Sequence, residues 1–161
     1  MEVSRYTYVA HHEEELQNLV GSGRQWFGEH FAYTLTRQGN LGLDALDAQS
    51  TALFRARGVG RSTIAGTKLE LSSAQGPIGE LSFGSIAASS GADYVDEAAF
   101  TQFQSAVSPS WGDVTLTFNR DINPSAAAWL DYVNVHADAP FTWRLTPQVW
   151  HFAPMDTAVL Q

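Results

Sequence analysis

Asp113-Val114-Thr115-Leu116-Thr117-Phe118 alternates without interruption. Val114, Leu116 and Phe118 fall on one side of an extended backbone, and Thr115 and Thr117 on the other. That period of two belongs to a β-strand with one face buried and one face in water. Residues 31–36 repeat it, with Phe31, Tyr33 and Leu35 opposite Ala32, Thr34 and Thr36. Residues 53–59 set Leu53, Arg55 and Arg57 against Phe54 and Ala56, so one strand face carries two guanidiniums. Residues 67–71 and 78–83 read as two further strands joined by the turn Ala74-Gln75-Gly76-Pro77, and residues 6–9 and 149–152 add strands near each end.

Three segments are less clear. Leu16, Leu19 and Val20 have helical spacing, but over barely two turns. Phe100, Phe103 and Val107 share a helical face, so residues 97–107 fit a short helix as well as a strand. Pro124 opens an alanine run that looks like a helix start, yet residues 130–135 alternate again. Tyr132, Val133 and Val135 favour a turn through the alanines followed by a strand. Eight to ten short strands with turns between them, no βαβ alternation and no repeat of 20–50 residues predict a single antiparallel β-sandwich. It is expected to be jelly-roll-like, with at most one or two short helices. The expected domain spans residues 1–161, with residues 150–161 beginning a linker or a further domain.

Composition removes several functions. The chain of 161 residues has 9 basic and 17 acidic side chains, a net charge of -8, and no cysteine. Disulfides, thiolate zinc fingers and a cysteine nucleophile are therefore excluded. One lysine and scattered arginines do not make the clustered cations that displace counterions from phosphates, so nucleic acid is not an expected partner. No apolar run approaches the roughly 20 residues of a membrane-spanning helix, and the start lacks the pattern of a signal peptide. The acidic, lysine-poor balance fits a salty habitat. A melting temperature that rises from low to molar salt is the corresponding expectation, and a flat response removes it.

Candidate chemistry is sparse. His11-His12-Glu13-Glu14-Glu15 carries metal-capable side chains, but adjacent strand or loop histidines point apart, unlike the i, i+4 pair of a zinc protease helix. In Asn119-Arg120-Asp121-Ile122-Asn123 the alternating Asn119, Asp121 and Asn123 are candidate calcium ligands. The segment lacks the glycine and bidentate glutamate of a calcium loop, and such residues commonly bond their own backbone in turns. Gly21-Ser22-Gly23 lacks the Gly-x-Ser-x-Gly spacing of a nucleophile elbow, and no phosphate-binding glycine loop precedes a lysine. Whether two of the 17 acids sit at a glycosidase separation is not decided by spacing along the chain. No catalytic residue and no cofactor is expected. Of the tryptophans Trp26, Trp111, Trp129, Trp143 and Trp150, most belong in a core. Trp26-Phe27, among glycines, is the best exposed platform for stacking on a sugar, with Trp143 a further candidate.

The order of three segments is suggestive. Ser22-Gly23-Arg24-Gln25-Trp26-Phe27-Gly28-Glu29-His30-Phe31 leads into a strand; Gly112-Asp113-Val114-Thr115-Leu116-Thr117-Phe118 follows; then comes Ala128-Trp129-Leu130-Asp131-Tyr132-Val133-Asn134-Val135. Together they resemble the N-terminal β-domain of the gingipain-type cysteine peptidases, above all the type IX secretion system sortase, over most of the chain from Tyr6 to Trp150. The family's histidine and cysteine lie in a following domain and match nothing here. His136-Ala137-Asp138-Ala139-Pro140 also departs from the family's arginine-rich continuation. The resemblance implies a non-catalytic accessory domain of a larger cysteine peptidase in cargo processing, at the cell surface or outer membrane of Bacteroidetes-type bacteria, its leader already processed. Its partners would be the following peptidase domain and outer-membrane secretion components. The surface expected to make contacts holds Trp26, Phe27, Glu29, Arg55 and Arg57. The other expectation, from a different class, is a carbohydrate-binding module using exposed aromatics.

Overall fold

A computed structural model describes residues 4–19, 21, 24–87 and 94–141. Two antiparallel sheets face each other. The first runs β1 (Arg5–Glu13), β9 (Ala127–Pro140), β4 (Ser50–Arg61) and β7 (Asp96–Val107), with the short β2 (His30–Phe31) also on β9. The second runs β3 (Thr36–Gly39), β8 (Val114–Asn119), β5 (Thr67–Ser73) and β6 (Gly76–Phe83). With β2 set aside, the orders are first, last, third, sixth and second, seventh, fourth, fifth. Those are the two interleaved Greek keys of a jelly roll, as expected from the sequence. Two single-turn 3₁₀ helices, Leu43–Ala45 and Pro109–Trp111, complete the regular structure among the described residues.

The alternation of the strands builds the core directly. Val114, Leu116 and Phe118 of β8 meet Leu69 and Leu71 of β5, and Phe54, Ala56, Leu130, Val133 and Val135 face them from the first sheet. Burying a side chain such as Phe54 contributes about 1.5–3 kcal/mol each. Gly58 and Gly60 of β4 point inward, where an added Cβ would lie 3.0 Å from Leu81 and 2.3 Å from the Phe83 ring. Their missing side chains let β6 seat its large residues against β4.

Residues 97–107 are strand, not helix. Phe100 turns inward over Gly79, and Phe103 turns outward and is 61% exposed, so the pair shares no face. Residues 31–36 do not form the single strand expected. Phe31 is buried in the first sheet, Tyr33 is fully exposed, and Thr36 already belongs to the second, because the chain crosses between sheets here. Leu16 and Leu19 form no helix. Leu16 faces water, and the segment is held by a bridge between Gln17 and Phe27. The turn at residues 123–126 precedes β9 as expected. The strand expected at residues 149–152 lies outside the described residues.

Candidate functional site

The outward face of the first sheet divides into a covered end and an open end. At the covered end, residues 14–19 and 24–28 lie over it. Phe27, Val59 and Trp129 form a small second core there, with Leu19 packed against them. Backbone bonds of 2.9 Å between Gln17 and Phe27 and 2.8 Å from Gly28 N–H to the Leu130 carbonyl hold the flap. Trp129 donates its indole N–H to Gln17 Oε1 at 2.8 Å and stacks on His30 with ring centroids 4.6 Å apart. Burial, and secondarily the nearby Arg37 charge, pushes the His30 imidazole below its ordinary range.

Asp131 sits at the boundary. Arg57 pairs with Tyr132 and Gly58 with Leu130, which leaves Asp131 as the extra residue of a β-bulge. Its carboxylate accepts from Arg57 Nη1 at 2.6 Å, while Arg57 Nη2 donates to Glu97 Oε2 at 2.9 Å and Gln25 Nε2 donates to Glu97 Oε1 at 3.3 Å. The Arg57 hydrogen bond holds the Glu97 carboxyl below its usual range. Arg57 is thus neutralised by two carboxylates.

The open end consists of rows read across the register. His11, Asn134, Arg55 and Thr101 form one, and Val9, His136, Leu53 and Phe103 the next. His11 bonds Asn134 through Nδ1 and Glu13 Oε2 through Nε2, the latter at 2.8 Å. Those contacts, Asn134 first, raise its pKa. Arg55 is exposed in the middle of this face and reaches no carboxylate among the described residues. The neighbouring acids are engaged elsewhere: Glu13 with His11, Glu97 and Asp131 with Arg57, and Asp138 with Arg5 at 2.8 Å.

The expected contact residues therefore separate. Arg55 and Arg57 share a face, but only Arg55 has a free guanidinium. Trp26 is 42% exposed, whereas Phe27 is 2% exposed and serves as the flap's anchor, so it offers no ring to a ligand. Glu29 is mostly buried. One carboxylate oxygen meets His12 Nε2, and Oε2 has no protein partner. Trp111 and Trp129 are buried, and Trp143 and Trp150 lie outside the described residues. His11 and His12 point to opposite faces of β1. Asn119 Oδ1 accepts from Asp121 N–H at 3.3 Å, and Asn123 Oδ1 from Ser125 N–H at 3.2 Å. Asn123 is buried and donates to Ser62 Oγ at 2.9 Å, so the side-chain oxygens of Asn119 and Asn123 serve turns. Sequence reasoning missed Asp131 and Glu97. A carboxylate inside the apolar Trp129-Leu130-Asp131-Tyr132 run was the available signal, since buried acids are paired.

The molecule is thus a jelly-roll β-sandwich with one half-covered sheet face and an unpaired cation at its centre. Its fold is similar to part of dimeric latent PorU from Porphyromonas gingivalis, at 18% identity and a TM-score of 0.64. The match covers 86% of this chain and 13% of that one. It is also similar to the CBM36-1 domain of a multidomain xylanase from the hindgut metagenome of Trinervitermes trinervoides, at 14% identity, 81% and 96% coverage and a TM-score of 0.42. The CBM6cm-2 module of Cellvibrio mixtus lichenase 5A matches at 14% identity, 78% and 86% coverage and a TM-score of 0.38. No protein-family model matches the chain, and no curated protein sequence does. No helix among the described residues is long and apolar enough to cross a membrane.

Proposed function

We propose that this chain is a non-catalytic accessory domain of a larger gingipain-type cysteine peptidase of the type IX sortase kind, and that it works by docking. In this reading residues 1–161 form one β-sandwich unit, outside the cytoplasm at the cell surface or outer membrane. It packs against the following peptidase domain of the same polypeptide, or against secretion components, while the parent processes cargo. The observation that carries it is the open half of the first sheet, where, among the described residues, Arg55 reaches no carboxylate while Glu13, Glu97, Asp131 and Asp138 are engaged elsewhere. A cation so placed suits a carboxylate on a docking surface. The order of the three sequence segments and the fold likeness support the parentage. A chain without cysteine supplies no nucleophile of its own to such an enzyme.

Reading the gene beyond Gln161 for a peptidase domain with a histidine and a cysteine comes first. Calorimetry of this chain against that domain is then expected to show binding that Arg55→Glu weakens by about tenfold. Peptidase activity of the chain itself, or a gene without such a domain, overturns the reading. The exposed Trp26 supports a second reading, a carbohydrate-binding module stacking a sugar on its indole. Glycan-array binding that Trp26→Ala abolishes, with the fold intact, decides for it.

A further inference from the structure

The chain covers one half of the first sheet's outward face by itself, and that covering shows what the face accepts. Phe27 and Leu19 set apolar side chains on Val59 and Trp129, while Gln25 reaches Glu97 at 3.3 Å. An apolar anchor stands beside a polar contact, both from a segment laid across the strands. The open half offers the same pairing of surfaces. Val9, His136, Leu53 and Phe103 make a mostly apolar row, with Phe103 61% exposed. Two residues further along β4, about 7 Å away, Arg55 projects from the same face. Its ladder partner Thr101 is exposed and brings a hydroxyl donor to the same spot. Beyond Arg55 the next row is closed, because Asp131 and Glu97 hold Arg57.

Resting on the docking reading, we infer that the open half takes one extended segment of the partner protein. An acidic residue of that segment meets Arg55, and an apolar residue two positions away lies on Leu53 and Phe103. In an extended segment, side chains two apart share a face and stand about 7 Å from each other, which is the spacing of the two rows. The carboxylate accepts from the Arg55 guanidinium and from the Thr101 hydroxyl, and the first of these bonds is charge-assisted. The site suits a single acid. The chain has a net charge of -8, and Glu13, Glu97 and Asp138 surround the face, so a second carboxylate on the segment meets repulsion. The same charge disfavours an anionic membrane surface. The surrounding acids already hold His11, Arg57 and Arg5, so a basic segment finds fewer partners here.

The probe is a short capped peptide, threonine throughout except for one leucine and, two positions on, one glutamate. Titrated into the full chain and followed by amide NMR, it is expected to bind with a Kd of about 1 mM and to shift residues 53, 55, 101 and 103. Arg55→Glu is expected to weaken binding about tenfold at an unchanged melting temperature, and a lysine in place of the peptide's glutamate to restore binding to that variant. Phe103→Ala, or a peptide with the glutamate moved next to the leucine, is expected to cost about fivefold. A wild-type chain that does not bind, binding indifferent to the spacing, or a charge reversal that does not restore it overturns the inference. So does an oligogalacturonate that takes the Arg55 face where the peptide does not. The docking reading fails separately. A gene without the peptidase domain removes that reading and leaves peptide binding in place. A peptidase domain that binds through Arg55, and that the peptide does not displace, keeps the docking and removes the segment.

Discussion

His11 and His30 face water from the same molecule and are displaced in opposite directions. His11 bonds Asn134 and Glu13, both of which favour the imidazolium, whereas His30 is flattened against Trp129 with Arg37 nearby, which favours the neutral ring. Proton NMR titration is expected to place the His11 midpoint above about 6.5 and that of His30 below it. The consequences for stability have opposite signs. The contribution of His11 is full below about pH 6.5 and is lost as pH rises through its folded value. That of His30 is full above about pH 6.5 and is lost as pH falls through its folded value. Asn134→Ala is expected to bring the His11 midpoint back toward 6.5 and leave His30 where it is; equal movement of both would contradict the local cause. At this scale the sequence was informative about residue type and silent about pairing. Arg55 and Arg57 are equivalent by alternation, and only a bulge that sends Asp131 outward separates the neutralised guanidinium from the free one.

Strands with a strict period of two, such as β8 and β5, were legible from the sequence because one face meets a core and the other meets water. β7 was ambiguous because its Phe100 and Phe103, three apart, fit a helix as well as two faces of a strand. The ladder with β4 decides for the strand, and Gly79 leaves room for the Phe100 ring on its inner face. The crossing at residues 32–35 was hidden for the opposite reason: its alternation is regular, but the sheets it joins are separate. The inward glycines of β4 carry a prediction of their own. Gly60→Ala puts a methyl group into the Phe83 ring and is expected to cost about 1–3 kcal/mol in chemical denaturation. Phe83→Leu in the same chain is expected to recover part of that loss, a non-additivity that two unrelated defects would not show.

The first and last strands of the sandwich are joined by charge as well as by backbone. Arg5 donates to Asp47 through both terminal nitrogens at 3.1 Å and to Asp138 through Nε at 2.8 Å, tying β1 to β9 and to the approach of β4. The Arg5 hydrogen bond, with help from Ser50 and the Gln49 N–H, lowers the Asp47 carboxyl to about 2. An unfolded Asp titrates near 3.9, so this contribution is present above about pH 4 and is lost as pH falls toward 2. Asp47→Asn is expected to melt below the wild type at pH 6, with the gap closing by pH 2; a gap independent of pH would assign the loss to packing instead. The same arrangement has a mechanical meaning. In the jelly-roll order the first strand lies beside the last, and Arg5 stands opposite Pro140, so both ends of the sandwich emerge at one corner. A pull applied through them loads the β1–β9 ladder in unzipping geometry, one rung at a time. The Phe141 N–H to Ser4 carbonyl bond, followed by the Arg5–Asp138 pair, bears the force first, and the hydrogen bonds behind them yield in sequence instead of sharing the load.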